Sequence, residues 1–272
     1  MQRTVITSFG AYGYNLYGRN FLETFDRFWP KDIRVVVFAE PDTPPLGFKW
    51  DDRELIVEPI GNVPHVTEFL SAIERFPVLC GDTPVGHKIF NDARSARATF
   101  MQAYGCERFG GQVIWLDADI VTHEPVTHEF LDSLLKPDQF CAYLGRREVF
   151  SENGFLALNA GHRIAKSFLQ TYVKLYTSGA IFLEPGWNDC CAFDRVRAAA
   201  ERGFPEAFNN LGKSVAYTKE TQHVFINSVL GSVMDHLKGG RKNLGRSPLS
   251  DLAIPRKEPY WQEANIVGVQ TR

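Results

Sequence analysis

The 272-residue sequence has no long apolar run, because its hydrophobic residues, 44% of the total, fall in short blocks. A membrane-spanning helix needs about 20 consecutive apolar residues, so we predict that the chain does not span a membrane. The first residues, MQRTVITSFG, lack the charged, apolar and small segments of a secretion signal, which favours a cytoplasmic protein. A net charge of −2 gives no general case for nucleic-acid binding, although a local basic groove is compatible with it.

Cysteine is scarce as well. The five cysteines are odd in number, and the adjacent pair Cys190 and Cys191 does not have the spacing of a zinc site. We therefore predict reduced, mostly buried thiols. Repeats, low-complexity tracts and long linkers are also missing, so residues 1–272 are predicted to form a single domain.

Short apolar runs alternate with helical patterns along the chain. RTVITSF, IRVVVFAE and ELIVEPI are predicted as buried strands, and RNFLETFDRFW as an amphipathic helix that ends before Pro30. Residues 88–104 also carry apolar side chains at helical spacing. This alternation is typical of α/β proteins, so we predict a mostly parallel central sheet with helices on both faces.

Two aspartates follow an apolar strand in the segment QVIWLDADIVTHEPV. Asp117 and Asp119 come directly after the run Val113–Leu116, where a parallel sheet presents its ligands. Carboxylate oxygens suit Mg²⁺ or Mn²⁺, which commonly keep open positions for substrate phosphates. Alternatively, one aspartate caps the following turn and the other is solvated.

A second group lies near the carboxyl end, in HLKGGRK. His236, Gly239 and Lys242 have the spacing H-x-x-G-x-x-K. Histidine can bind a metal, glycine lets the backbone approach an oxyanion, and lysine gives a phosphate a point charge. By itself this segment is typical of a solvated basic turn, but together with the aspartate pair it indicates a diphosphate site.

VIWLDADIV followed by HLKGGRK resembles the signature pair of GT-A-fold glycosyltransferases, especially the family-eight group that includes glycogenin and bacterial galactosyltransferases. The resemblance implies the Rossmann-like GT-A fold, with a nucleotide-binding half at 1–120 and an acceptor half with the phosphate-binding loop at 121–272. It implies that Asp117, Asp119 and His236 hold Mn²⁺ or Mg²⁺. Gly239 and Lys242 would contact the diphosphate of a nucleotide sugar, for which uridine diphosphate is the family default, and Asp117 would also border that donor.

Two weaker matches extend the resemblance. ALNAGH is similar to an Asn-Ala/Ser-Gly segment of the family, which implies that Asn159 and Gly161 border the donor sugar. WNDCC falls where the family often has Asp-Gln-Asp, which implies that Asn188 and Asp189 lie near the reacting carbon. The chain departs from the family in having Trp187 at the first acidic position and in lacking Pro-Trp after the lysine.

The same resemblance implies that the loop after the first strand packs on the nucleobase. Phe9, Tyr12 and Tyr14 are the candidates for this contact, and Arg94 or Arg97 would reach towards the donor. Aromatic residues in a Gly-rich loop are more often packing residues, which is the alternative interpretation.

The expected chemistry follows from charge. A divalent cation and Lys242 would stabilise the departing diphosphate. An inverting transfer also needs a base, for which Asp189 is the candidate and Glu184 the fallback, whereas a retaining transfer, which the resemblance favours, needs none. A saccharide or glycoconjugate hydroxyl is the first choice of acceptor, and a modified DNA base is another candidate.

Three other functions are compatible with parts of the sequence. DADIV also matches the nucleophile motif of haloacid-dehalogenase-like phosphatases, although that motif normally lies on the first strand. A nucleotidyltransferase usually has a Gly-rich phosphate loop, which SFGAYGYNLYGR matches poorly. The third candidate is a non-catalytic protein that binds a sugar nucleotide.

Overall fold

The computed structural model describes residues 1–48, 50–74, 95–215 and 223–262. The strands in this part of the chain are β1 (Arg3–Phe9), β2 (Arg34–Ala39), β3 (Leu55–Pro59), β4 (Gln112–Leu116), β5 (Ile120–Thr122), β6 (Cys141–Leu144), β7 (Glu152–Asn159), β8 (Phe208–Asn210) and β9 (Met234–His236). Seven of them form a central sheet in the spatial order β3-β2-β1-β4-β7-β6-β8, and β5 pairs with β9 in a separate two-stranded ribbon.

The central sheet is mostly parallel, as the sequence predicts. Strands β3, β2, β1 and β4 form one parallel block, while β7 runs antiparallel to both of its neighbours. The chain moves outwards from β1 to β3 and then returns to the other side of β1 as β4. Open α/β sheets bind ligands at such a reversal, beyond the carboxyl ends of the strands. The fold therefore places its binding cleft where β1 and β4 end.

Helices flank this sheet. They are α1 (Ala11–Gly13), α2 (Arg19–Phe28), α3 (Val66–Glu74), α4 (Ala96–Phe109), α5 (His128–Leu134), α6 (Ala165–Thr177), α7 (Asp189–Gly203), α8 (Val224–Asn227) and α9 (Arg241–Leu244), with the π-helical turn Tyr14–Gly18 joining α1 to α2. The helix predicted at 88–104 appears as α4, which ends where Gly110 takes a φ of 63°. Residues 88–94 lie outside the described residues.

The alternation of side chains along each strand explains why helices cover both faces. Val5 points into a core shared with α2, whereas its neighbour Ile6 points into the opposite core, shared with α4 and α6. Successive strand residues face opposite sides of a sheet, so a run of consecutive apolar residues requires apolar cover on each side. The prediction of helices on both faces is confirmed.

Two predictions about bulk properties can be compared with the structure. Within the described ranges, no helix combines the length and hydropathy needed to cross a bilayer. Cys106, Cys141 and Cys191 are buried free thiols and Cys190 is a partly exposed one, in agreement with the sequence, while Cys80 lies outside the described residues.

Candidate functional site

A tight turn after β4 brings the two aspartates together. The backbone N–H of Asp117 donates to the carbonyl of Gly154 at 2.9 Å, and that of Ile120 donates to the carbonyl of Asp117 at 3.1 Å. The hydrogen bond from Ile120 closes a tight turn, which lets both carboxylates converge on one point. Trp115 then orients the first carboxylate, because its Nε1–H donates to Asp117 Oδ1 at 2.9 Å.

The β5–β9 ribbon supplies the histidine. Ile120 pairs with His236, and the N–H of Leu237 donates to the carbonyl of Asp119 at 2.9 Å. His236 Nε2 consequently lies 3.0 Å from Asp119 Oδ1 and 3.6 Å from Asp117 Oδ2. One potential ligand atom from each of the three residues lies within 4.8 Å of the others.

The donor atoms fit a divalent cation. Ligands that bind Mg²⁺ at about 2.1 Å in an octahedral arrangement lie about 3 Å from one another, which is close to the separations observed between His236 and the two aspartates. Carboxylates suit Mg²⁺ or Mn²⁺, and histidine is the commonest metal ligand. Asp117, Asp119 and His236 can therefore hold a metal together.

Behind the histidine lies a buried acid that sequence reasoning missed. Glu152 has an exposed fraction of 2%, and its Oε1 lies 3.1 Å from His236 Nδ1 and 3.5 Å from Lys238 Nζ. No motif marks this residue. Only its place at the start of β7, beside the aspartate-bearing strand, reveals it.

The electrostatics of the cluster follow from burial and from paired charges. Burial alone would lower the pKa of His236, but Asp119 and Glu152 outweigh it and the pKa lies well above its ordinary value. Burial alone would raise the pKa of Asp119, but His236 and Lys242 hold it below its usual range. For Asp117, burial and then repulsion from Asp119 raise the pKa against the pull of His236. Water offsets part of that rise, since 40% of the Asp117 side chain is exposed.

Lys242 reaches the second aspartate of the pair. Its Nζ lies 3.0 Å from Asp119 Oδ2 and 4.7 Å from the centre of the Tyr17 ring. Gly239 makes the turn into this loop with a φ of 65°, a conformation that glycine adopts without strain. Tyr17 is a second residue that the sequence did not reveal, because its position depends on the direction in which the π-helical turn faces.

The cleft next to the cluster has a volume of about 610 Å³. Its lining residues come from the ends of β1, β2 and β4, the first helical turns, α4 and the start of α7: Ser8, Phe9, Gly10, Tyr12, Gly13, Tyr17, Glu40, Asp42, Ser95, Arg97, Ala98, Met101, Trp115, Asp117 and Asp189. The cavity thus lies at the reversal of strand order.

The five residues predicted to contact the donor from this side differ in their positions. Tyr12 is 78% exposed at the cleft, and Arg97 lines the cleft while pairing with Glu40 at 2.9 Å. Phe9 lines the cleft but is almost fully buried. Tyr14 is a core residue, because it is 3% exposed, stacks on Phe9 and donates its hydroxyl to the carbonyl of Leu46, so its predicted base contact is not supported. Arg94, the other arginine, lies outside the described residues.

The segment WNDCC begins α7. Asn188 is the N-cap, since its Oδ1 accepts from the N–H of Cys191 at 2.9 Å, and this structural role accounts for its position without a catalytic one. Asp189 does line the cleft. Its Oδ2 accepts from Asn153 Nδ2 at 3.1 Å, and burial raises the pKa of its carboxyl group. Glu184, the fallback base, forms an ion pair with Arg195 at 2.9 Å instead.

Asn159 and Gly161 are not at this site, which corrects the sequence prediction. Asn159 pairs with Gln112 at the first residue of β4, about 16 Å along the strand from Asp117 at 3.3 Å per residue. Its amide donates to the carbonyls of Pro137 and Gln139, and its Oδ1 accepts from Gly161. The reason is strand direction: β7 enters the sheet at the site and leaves it at the opposite edge, so the Asn-Gly at its start borders the cleft.

By sequence, the chain matches no protein-family model and no curated protein. By structure, it is similar to WbbM, a bifunctional glycosyltransferase, with a TM-score of 0.50 and 11% identity over 97% of this chain and 51% of WbbM. The mouse xyloside xylosyltransferase 1 gives 0.49 with 11% identity over 83% of this chain and 91% of its own. GlyE of Streptococcus pneumoniae gives 0.48 with 12% identity over 98% and 60%.

The likeness to WbbM shows the fold. The chain has the α/β fold of GT-A glycosyltransferases, with a mostly parallel central sheet, as the motif pair predicts. It spans about half the length of WbbM. At this identity the similarity carries the architecture, and the chemistry has to be argued from the residues of the cleft.

Proposed function

We propose that this protein is a metal-dependent glycosyltransferase that moves a sugar from a nucleoside-diphosphate sugar to an acceptor hydroxyl. One observation carries the proposal: Asp117, Asp119 and His236 offer ligand atoms within 4.8 Å of one another, and Asp117 also lines a 610 Å³ cleft. Lys242 reaches Asp119 from the start of α9, six residues after His236. A phosphatase that used DADIV alone would leave the histidine and the lysine without a task.

The finer assignments rest on the motif residues and their positions. Resemblance to the family-eight group favours a uridine diphosphate sugar, Mn²⁺ or Mg²⁺, and retention of anomeric configuration. In this proposal residues 1–120, which contribute most of the cleft lining, bind the nucleotide, and residues 121–272 supply the acceptor side and the phosphate loop. A saccharide or glycoconjugate is the proposed acceptor.

In this proposal the metal cluster, the Lys242 segment and Asp189 each have a role. A divalent cation held by Asp117, Asp119 and His236 would supply Lewis-acid stabilisation of the leaving diphosphate. Lys242 leaves Asp119 to place its ammonium group against the phosphate, where charge grows in the transition state, and Gly239 allows the backbone to approach closely. Asp189, held by Asn153, lies at the cleft as the base that an inverting transfer would need.

Donor turnover with and without Mn²⁺ tests this function. Wild-type protein should release nucleoside diphosphate from a uridine diphosphate sugar only when the cation is present. Asp119→Asn should lower the rate by about 100-fold or more, since it removes a charged ligand from the metal site and breaks the ion pair with Lys242. Asp138→Asn is the matched control, because Asp138 is an exposed aspartate just before β6, at the opposite edge of the sheet.

Three results would contradict the proposal. Full activity of Asp119→Asn without added metal would remove the metal from the mechanism. Hydrolysis of phosphomonoesters, with sugar nucleotides untouched, would favour the phosphatase. Thermal stabilisation by a sugar nucleotide without any turnover, in the presence of a panel of saccharide acceptors, would indicate a binding protein. Melting curves of both variants are needed so that a fold defect is not taken for lost catalysis.

A further inference from the structure

The buried acid behind the histidine requires an explanation. Carboxylates are almost never fully buried unless they are paired, because desolvation disfavours the charged form. Glu152 nevertheless has an exposed fraction of 2%, and its carboxylate lies against His236 and Lys238. The Lys238 side chain is 50% exposed and 3.5 Å away, so the closer and fully buried partner is His236 Nδ1 at 3.1 Å.

An irregularity in the sheet brings Glu152 to the histidine. Tyr143 of β6 pairs with Leu156 of β7, so regular antiparallel pairing would place Leu144 opposite Phe155, yet Leu144 pairs with Glu152. The register shift pairs Glu152 with Leu144 and leaves residues 153–155 without partners in β6. Such irregularities are frequent beside active sites, where they redirect a side chain.

The imidazole is confined on its other sides as well. A Cβ added to Gly154 would lie 2.5 Å from His236 Cε1 and 2.6 Å from Nδ1, so only glycine leaves room for the ring there. The Phe225 ring meets the imidazole edge to face at 5.4 Å, and His223 Nε2 lies 2.9 Å from the His236 carbonyl oxygen. With the ring held in this way, the nitrogen that faces the aspartates is Nε2.

We propose that Glu152 is the positioning residue of the metal site: its carboxylate accepts the Nδ1 proton of His236 and leaves Nε2 as the metal-binding nitrogen. The proposal rests on the metal-binding part of the proposed function. The 3.1 Å contact has the distance of a hydrogen bond but not its angle, and polar contacts of catalytic sites are often poorly aligned until the ligand binds. Carboxylates that hold the second nitrogen of a metal-bound histidine fix its tautomer and its orientation.

Metal affinity without donor is the first test. Free Mn²⁺, measured by electron paramagnetic resonance, should show that Glu152→Gln binds the ion about 10- to 100-fold more weakly than wild type. Glu148→Gln, which removes the same charge from the exposed loop just before β7, should bind as wild type does. Lys238→Met removes the other partner of Glu152 and should not weaken binding, because the carboxylate keeps its contact with the histidine.

The state of the imidazole is the second test, and it separates orientation from charge. In Mg²⁺-saturated protein with ¹⁵N-labelled histidines, the His236 ring should carry its proton on Nδ1, in slow exchange with water because Glu152 is buried. The signal is assigned by its loss in His236→Gln. In Glu152→Gln that proton should exchange faster or move to the other nitrogen. The wild-type spectrum alone tests the tautomer, so the test survives a variant that fails to fold.

The outcomes are distinct. Unchanged Mn²⁺ affinity of folded Glu152→Gln, or a wild-type His236 ring without a proton on Nδ1 in the Mg²⁺-loaded protein, would overturn the positioning role. If wild type binds no divalent cation, this role and the metal-dependent mechanism fall together. Intact metal binding with the expected Glu152 effect, but no turnover of sugar nucleotides, would support the positioning role and contradict only the proposed function.

Discussion

The two ends of β7 carry nearly the same residues but have different roles: one end supports the site, and the other closes a turn. At its start, Asn153 and Gly154 lie against residues of the site: the first holds Asp189 and the second makes room for His236. At its end, Asn159 and Gly161 close a turn at the far edge of the sheet. Because β7 is antiparallel to β4, its first residues meet the carboxyl end of the metal-binding strand. A short asparagine-glycine pattern thus acquires its function from the direction of the strand that carries it.

Adding one methyl group at each end should give the largest contrast. Gly154→Ala would push a Cβ against the His236 ring, at 2.5 Å, and a misplaced catalytic group can cost on the order of 100-fold in rate. Overpacking should also lower the free energy of unfolding by about 1–3 kcal/mol. Gly161→Ala meets only Asn159 Oδ1, at 3.5 Å, so activity and stability should stay close to wild type.

Mn²⁺ affinity, donor turnover and a denaturant melt of the two alanine variants measure this contrast. Equal losses of activity in both variants would mean that the two ends are not functionally different. A loss confined to Gly161→Ala would reverse the assignment and restore the prediction made from ALNAGH.

Substituting the asparagine at the start of β7 should affect activity, whereas substituting the one at its end should affect stability. Asn153→Ala removes the 3.1 Å hydrogen bond to Asp189 and, in an inverting transfer that uses Asp189 as base, should lower kcat/KM about tenfold, since hydrogen bonds to charged groups are worth roughly 1.5–3 kcal/mol. Asn159→Ala leaves the carbonyls of Pro137 and Gln139 without their donor and should lower the free energy of unfolding by about 1–2 kcal/mol, with kinetics unchanged. Steady-state kinetics and urea unfolding on both variants give the four values, and a kinetic defect in Asn159→Ala would contradict the division.

The same contrast shows what the sequence could predict and what it could not. Asp117 and Asp119 were identifiable because an apolar strand and its end are contiguous in sequence, and His236 with Lys242 because a loop motif is local. The strand order and the antiparallel direction of β7 come from pairings between distant segments, so the sequence points to Asn159 and gives no sign of Asn153. Local sequence does not determine such pairings.

Side-chain direction was the second obstacle. Tyr14 was predicted at the nucleobase and lies in the core, while Tyr17, one helical turn later, faces Lys242. The π-helical turn Tyr14–Gly18 changes which residues of this segment face inwards, and nothing in YNLYG marks it. Glu152 was missed for a similar reason, since a register shift in the sheet directs its side chain.

Removing a lysine at the metal site should have a smaller effect than the substitutions in β7. It extends the comparison between the site and the opposite edge of the sheet. Lys242 Nζ lies 3.0 Å from Asp119 Oδ2, so a cation entering the site competes with the ammonium group for this carboxylate. Lys242→Met should therefore bind Mn²⁺ a few-fold more tightly in the absence of donor, because a partly exposed ion pair is worth about 1 kcal/mol or less. Donor turnover should fall in the same variant.

Lys136→Met at the far edge of the sheet is the control, an exposed lysine beside the turn that Asn159 closes. Isothermal titration with Mn²⁺ and a turnover assay give both quantities. Weaker metal binding by Lys242→Met would contradict the competition inferred from the ion pair. Equally tighter binding by Lys136→Met would mean that the gain comes from the change in net charge and not from the ion pair.

The two ends of the β5–β9 ribbon each carry a histidine, and they offer a last comparison. The expected change in the free energy of unfolding is the smallest of those predicted near neutral pH. His236 at one end lies between two acids, whereas His123 just after β5 stacks on Tyr260 with ring centres 4.2 Å apart. Burial lowers the pKa of His123 to about 4, against the opposing pull of Asp235 and Glu258. Below its ordinary pKa of 6.5 the unfolded chain takes up a proton that the folded chain does not, so stability falls as the pH drops from about 6.5 to about 4. The loss should be about 1 kcal/mol at pH 6 and about 2 kcal/mol at pH 5. His123→Phe lacks this proton uptake, so its free energy of unfolding should decline less steeply with falling pH than that of wild type. Urea unfolding of both proteins at pH 7, 6 and 5 measures the difference. Parallel curves for the two proteins would mean that the histidine titrates normally in the fold.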